Sequence, residues 1–205
     1  MEITLIICLS YICGSIPFGL ILTKLFSNLD IRNVGSGNIG ATNVFRTGNK
    51  YLALLTLILD MLKGYFPVII AQKFFPEYVQ LSALIAFLGH VFPIWLKFIG
   101  GKGVATYLGI LFAFSYALGS LFIFTWLMTI LIFKYSSVSS LFASFTIIVV
   151  TFIRETTQDI IITKYSSTDL TNNWSILFIF FILIIFTHKK NISNLINKTE
   201  QKIKI

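Results

Sequence analysis

Long apolar runs alternate with short polar loops along the chain. The runs predict helices over 3–26, 51–73, 78–98, 104–118, 119–134, 138–153 and 174–187. A helix needs roughly 20 mainly apolar residues to cross the hydrocarbon core of a bilayer, and most of these runs approach that length. The stretch 104–133 contains no charged residue, so its pattern fits one long tilted helix or two short crossings broken near Gly119-Ser120. Loop charge decides between them. With two crossings, Lys24, Arg32, Arg46, Lys50, Lys97, Lys102 and Lys134 share one side with the tail lysines Lys189, Lys190, Lys198, Lys202 and Lys204. The other side keeps Lys73, Arg154 and Lys164. Cytoplasmic loops of membrane proteins carry the excess of lysine and arginine. The expectation is an all-α, polytopic integral membrane bundle of about seven transmembrane helices, with the N-terminus outside and the C-terminus cytoplasmic. Crossings near 15 residues are short and require local thinning or a partly re-entrant path. Arg154–Asn173 reads as an ordinary external loop.

Composition supports the same picture. The chain is 56% hydrophobic and 12% charged, with a mean hydropathy of +0.87. A soluble domain carries about 25% charged residues in its polar shell. One integral domain over 1–205 is expected, without room for a soluble one. The net charge of +8 raises nucleic acid as a partner. The cations sit at helix ends and in loops, however, where orientation and anionic headgroups account for them, so no nucleic-acid partner is expected. Cys8 and Cys13 lie in the first run and read as small side chains facing lipid or a helix; no Cys/His cluster suggests a metal. No cation precedes that run, and Lys24 is the first, which predicts a retained helix rather than a cleaved leader.

Three loops carry chemistry. The first, 30–46, combines Gly35, Gly37 and Gly40 with Ser36, Asn38, Thr42, Asn43, Arg32 and Arg46. Closely spaced glycines let backbone N–H groups turn inward as an anion nest, and hydroxyl and amide side chains add donors. Arg46 has the planar fork that holds a phosphate through two parallel bonds. The second, 99–106, contains Gly100-Gly101-Lys102-Gly103 ahead of an apolar helix, a sound phosphate cradle that is not a Walker A loop. Before it, His90 lies inside an apolar run, either as a functional group or as a helix–helix hydrogen bond. Asp60 and Lys63, three residues apart on one helix face, read first as a structural pair. The third, 188–200, places His188 and Asn191 one helical turn apart in a basic tail.

Together these segments resemble the bacterial acyl-phosphate-dependent glycerol-3-phosphate acyltransferases, the PlsY family. Gly14-Ser15-Ile16-Pro17 resembles the opening signature of that family. Gly35-Ser-Gly-Asn-Ile-Gly-Ala-Thr-Asn43 through Arg46 resembles its first cytoplasmic motif, and Gly89-His-x-Phe-Pro93 with Gly100-Gly-Lys-Gly103-Val-Ala-Thr its second. His188-x-x-Asn191-Ile with Leu195 and Glu200 resembles the third. That motif departs from the family pattern at Lys198, where glycine is common, and at Asn194, where a basic residue is usual.

The resemblance implies acyl transfer from acyl phosphate to the sn-1 hydroxyl of glycerol 3-phosphate, giving lysophosphatidic acid and phosphate, the first step of phospholipid synthesis. It implies that Ser36, Arg46, His188 and Asn191 form the catalytic set. Gly35, Gly37, Asn38, Thr42, Asn43 and Gly100, Gly101, Lys102 and Gly103 would bind substrate phosphates. The acceptor of the hydroxyl proton stays open among His188, His90 and a substrate phosphate. No cofactor or metal is expected. The expected partners are the two substrates, membrane lipid and, transiently, the soluble enzyme that makes acyl phosphate, at the bacterial inner membrane with the site facing the cytoplasm. Neither histidine begins an H-x-x-x-x-D motif, since Trp95 and Ser193 stand at the fifth positions on, which excludes the acyltransferases that use that pair. A transporter of a phosphorylated metabolite would place its site at mid-membrane between inverted repeats. Here the polar clusters gather on one face, and no repeat is visible. A scaffold would need neither glycine motif.

Overall fold

The structure is a computed structural model that describes residues 1–160 and 174–203. Those residues are all-α. The helices are α1 (Glu2–Ser15), α2 (Phe18–Ser27), α3 (Ala41–Phe45), α4 (Lys50–Phe74), α5 (Val79–Val91), α6 (Val104–Phe114), α7 (Tyr116–Phe133), α8 (Ser136–Ile160), α9 (Trp174–Thr187) and α10 (Lys189–Ile196). Five segments among them are long and apolar enough to cross a membrane: Glu2–Ser27, Lys50–Phe74, Pro76–Leu96, Tyr116–Phe133 and Ser136–Thr156. The α9–α10 pair, bent by 57°, passes the same test only when its two helices are taken together as one broken span.

Three boundaries differ from the sequence reading. The expected span 104–118 is an 11-residue helix, α6, which at 1.5 Å per residue covers only about half of the hydrocarbon core. The break falls at Ser115, whose backbone is extended, while Gly119 and Ser120 lie inside α7. No glycine was needed there, because the Leu111 carbonyl still receives the Ser115 N–H at 2.8 Å. Third, α8 runs on to Ile160, past the expected end at 153, and the remainder of the expected 154–173 loop lies outside the described residues.

The chain divides into two compact units, Met1–Tyr116 and Ala117–Ile205. In the first, α4 packs against α1, α2, α3, α5 and α6, and α1 also packs against α5. Lipid tails are as apolar as leucine, so membrane helices associate through close packing and hydrogen bonds rather than apolar burial. A methyl added at Gly109 would overlap the Met61 carbonyl, and one at Gly64 the Thr106 carbonyl, so α4 and α6 meet backbone to backbone. At the α1–α5 crossing the Ser10 and Ser82 hydroxyls bond at 2.9 Å.

The first span is broken at Ile16-Pro17, and hydrocarbon offers no water to repair a break. The repair comes from α4. Lys63 Nζ donates to the Ile16 carbonyl at 2.6 Å and pairs with Asp60 Oδ1 at 2.8 Å. Both side chains are 2% exposed. A missing bond inside the continuous α4 is made good in return. Pro67 cannot bond back to the Lys63 carbonyl one turn earlier, and the Cys13 thiol donates to that oxygen at 3.6 Å. The expected Asp60–Lys63 pairing is thus present within α4, and the Lys63 ammonium extends it to the break between α1 and α2.

In the second unit α8 packs on α9, and α9 on α10. The tail returns to the α7–α8 turn, where the Ile203 N–H donates to the Lys134 carbonyl at 2.8 Å.

Removing Lys63 alone leaves the buried Asp60 carboxylate without its counter-charge and the Ile16 carbonyl with only the Phe18 N–H, at 3.1 Å. Lys63→Met should destabilise the detergent-solubilised protein by about 3–5 kcal/mol. Adding Asp60→Asn should recover part of that loss. Thermal unfolding of both variants checks this, and equal stability of Lys63→Met and the native chain would refute it.

Candidate active site

The 28–49 segment is a folded structure rather than a linker. Ile31 and Val44 are fully buried with Leu20, Leu22, Ile39, Leu52 and Ala53, and this small core also takes Leu96 from the second motif. The two motif segments of the first unit therefore share one apolar anchor. Asn43 shapes the loop above it. Its amide nitrogen lies 3.1 Å from the Ile31 carbonyl, 2.9 Å from that of Val34 and 2.8 Å from that of Asn38. Its Oδ1 accepts the Ser36 N–H at 2.9 Å. Asn38 Oδ1 accepts the Gly40 N–H at 2.9 Å.

The Asn43 side chain is buried and its polar atoms are engaged inside the loop, where it holds the Ser36 N–H in place. Asn38 likewise uses its carbonyl oxygen within the turn. Gly35 and Gly37 have positive φ of 56° and 73°, the left-handed region that glycine adopts freely. They are exposed, as is Ser36 between them. The Arg46 stem runs beside Gly35, 3.3 Å from where a Cβ would stand. Ser36, the two glycines and Arg46 thus form one surface. Arg32 serves otherwise: its guanidinium donates to Asp30 at 2.9 and 2.6 Å. That bond holds the Asp30 carboxyl well below the usual carboxylate range.

The second motif starts where α5 ends. Lys97 and Phe98 both take positive φ, and the chain doubles back. Gly100 N–H then donates to the Val91 carbonyl at 3.0 Å and Gly101 N–H to the His90 carbonyl at 3.1 Å. Gly103, with φ of 82°, starts α6 over the Phe87 ring. Gly101 and Gly103 are buried, and Lys102 between them is half-buried. The hairpin is tied to α1 by Trp95, whose indole N–H donates to Ser15 Oγ at 2.9 Å, and by Tyr11, whose hydroxyl donates to the Phe92 carbonyl at 2.7 Å. Neither tie was read from the sequence, because nothing local relates residue 15 to residue 95.

The third motif lies in the second unit. His188 is buried, and its Nδ1 lies 2.8 Å from the Ile184 carbonyl. A carbonyl only accepts, so Nδ1 carries the proton and Nε2 is the basic position of the neutral ring. Asn191 and Asn194 donate to Glu200 at 2.6 and 3.3 Å, and Ser137 donates at 2.9 Å. Glu200 is therefore the hub of the tail, a role that sequence spacing left unseen. The departures from the family pattern gain a physical account here. An amide at 194 bonds the carboxylate that a basic residue would pair with. Lys198 has φ of 59°, which glycine would adopt without crowding by a Cβ.

Lys198→Gly should therefore stabilise the protein by about 1 kcal/mol, net of glycine's greater freedom in the unfolded chain. Thermal unfolding in detergent reads the change, and a lower melting temperature would contradict the account.

The family model described as glycerol-3-phosphate acyltransferase matches residues 4–198. The chain is 50% identical to the glycerol-3-phosphate acyltransferase of Pelagibacter ubique (strain HTCC1062), covering 100% of both proteins. It is 46% identical to that of Wolbachia pipientis wMel, covering 98% of each. Among solved structures it resembles PlsY (YgiH), an integral membrane glycerol 3-phosphate acyltransferase, in its glycerol 3-phosphate form. The TM-score is 0.87 at 34% identity, over 100% of this chain and 96% of that one. The lysophosphatidic acid form gives 0.85 at 32% identity, with the same coverage. With the match running nearly end to end, this chain belongs to the glycerol-3-phosphate acyltransferase family.

Proposed function

We propose that the protein transfers a fatty acyl group from a long-chain acyl phosphate to the sn-1 hydroxyl of glycerol 3-phosphate. The products are lysophosphatidic acid and inorganic phosphate, in the first step of phospholipid synthesis. The observation that carries this reading is the full-length likeness to a protein solved in glycerol 3-phosphate and lysophosphatidic acid forms, joined to two glycine-rich loops anchored on one core. One substrate is an apolar chain with a phosphate head, the other a small polar phosphate ester. A site where membrane helices meet cationic loops admits both.

The residues divide the work. Lys102, between Gly101 and Gly103, holds the phosphate of glycerol 3-phosphate, with Gly100 completing the turn. Ser36 and Arg46, flanked by Gly35 and Gly37, position the acyl phosphate head, with Asn38 and Thr42 at the rim of that loop. His188 and Asn191 complete the set. Acyl phosphate is already activated, so no acyl-enzyme is needed, and alignment of the two substrates supplies much of the rate. Cations and N–H donors stabilise the tetrahedral oxyanion and the departing phosphate. The ester C–O bond forms, the C–O bond to phosphate breaks, and the hydroxyl proton ends on the phosphate. The single domain spans 1–205 in the bacterial inner membrane with seven crossings, α6 being the short one. Lysine and arginine asymmetry puts the N-terminus outside and the loops and C-terminus in the cytoplasm, within reach of the soluble enzyme that makes acyl phosphate.

Purified protein should convert labelled glycerol 3-phosphate to lysophosphatidate with palmitoyl phosphate and not with palmitoyl-CoA. Product from the thioester alone, or from neither donor with folded protein, would overturn the reading. Lys102→Ala should raise the KM for glycerol 3-phosphate with a loss of roughly 2–4 kcal/mol of charge-assisted binding. An unchanged KM would remove Lys102 from the phosphate site.

A further inference from the structure

The Gly100–Gly103 turn rests on a buried side chain that none of the roles above uses. His90 is 3% exposed, at the end of α5. Its carbonyl receives the Gly101 N–H at 3.1 Å, and its ring lies under the Gly101 Cα. A methyl added at Gly101 would overlap Nε2, and one at Gly100 would overlap the His90 carbonyl. The far edge of the ring faces α4, where Nδ1 stands 3.9 Å from Asp60 Oδ1 and makes no hydrogen bond among the described residues. The imidazole is thus layered between the Asp60–Lys63 ion pair and the backbone of the turn.

Two simpler roles fit this placement poorly. A helix–helix hydrogen bond would engage Nδ1, which has no such bond. A general base would need an approach for the substrate hydroxyl, and Gly101 covers the ring. An ionisable side chain at membrane depth is costly to retain without a task.

We propose that His90 is a positioning residue for the phosphate-binding turn. Its ring is the floor that fixes the height and tilt of the Gly101–Lys102 peptide, and so the point where the Lys102 ammonium meets phosphate. The proposal rests on the reading of that turn as the glycerol 3-phosphate site. The absence of a side chain at Gly101 follows from it, since only a bare Cα lies flat on the ring. Displacement of a binding group by about 1 Å is enough to cost a large factor in rate or binding.

Steady-state kinetics of the full chain in detergent tests this, with glycerol 3-phosphate and palmitoyl phosphate varied in turn. His90→Ala should raise the KM for glycerol 3-phosphate roughly tenfold, with kcat and the KM for palmitoyl phosphate within about twofold. Gly101→Ala should act in the same direction by pushing the turn off the ring. The double variant His90→Ala/Gly101→Ala should bind glycerol 3-phosphate better than Gly101→Ala alone, because the lost ring makes room for the new methyl. A purely structural role would lower the yield of folded protein without producing this compensation. Equal rises in both KM values, a fall in kcat at unchanged KM, or additive effects in the double variant would each overturn the proposal. If His90→Ala does not fold, His90→Gln and Gly101→Ala are judged by the same KM criterion. Lys102→Ala in parallel separates the two levels. A raised KM there with normal His90 variants sinks this proposal alone, whereas an unchanged KM in Lys102→Ala sinks the site reading beneath it.

Discussion

The fold hangs on the Lys63 ammonium, which meets two obligations that lipid imposes. A broken span exposes a carbonyl with no water to satisfy it, and a buried carboxylate needs an opposite charge. Lys63 supplies both, bonding the Ile16 carbonyl and the Asp60 carboxylate together. The break in the first span exists because of Pro17, and it lets α2 leave the axis of α1. Where α2 goes decides where the first motif begins, since the loop's own core includes Leu20 and Leu22 of that helix.

From that anchor the site is assembled by close approach rather than by flexible reach. Small residues let α4 and α6 touch through their backbones, and α6 begins at the lysine-bearing turn. The first motif adds a different device, a buried amide that ties three carbonyls and the Ser36 N–H into one knot. Both devices leave the exposed glycines and the serine little freedom. The loop surface is thus preformed, and little entropy would be lost in shaping it around a ligand.

Much of this was legible in the sequence, for identifiable reasons. Apolar runs announce membrane helices because bilayer thickness fixes their length, and the motif loops stand out because polar residues are scarce elsewhere. What stayed hidden depends on distant partners. The break at Ser115 carries no glycine or proline, so no local pattern announces it. Amides serve equally well as ligands and as loop fasteners, and the burial of the Asn43 side chain is visible only in the fold. Trp95 with Ser15, and Glu200 with Ser137, join residues far apart in the chain. Lys198 could be recognised as unusual from the family pattern, but its backbone angle was needed to say why glycine suits the position.

The Lys63–Ile16 contact joins residues 47 positions apart, and this bears on how the protein is made. During synthesis the first span reaches the bilayer well before its partner has left the ribosome, so Ile16 must wait with a partly unmet carbonyl. Asp60 and Lys63 lie on adjacent turns of one helix, so they can enter the membrane already neutralising each other. Insertion of α4 is therefore the event that closes the first span, and the glycine-rich loop between them is fastened at both ends in the same step.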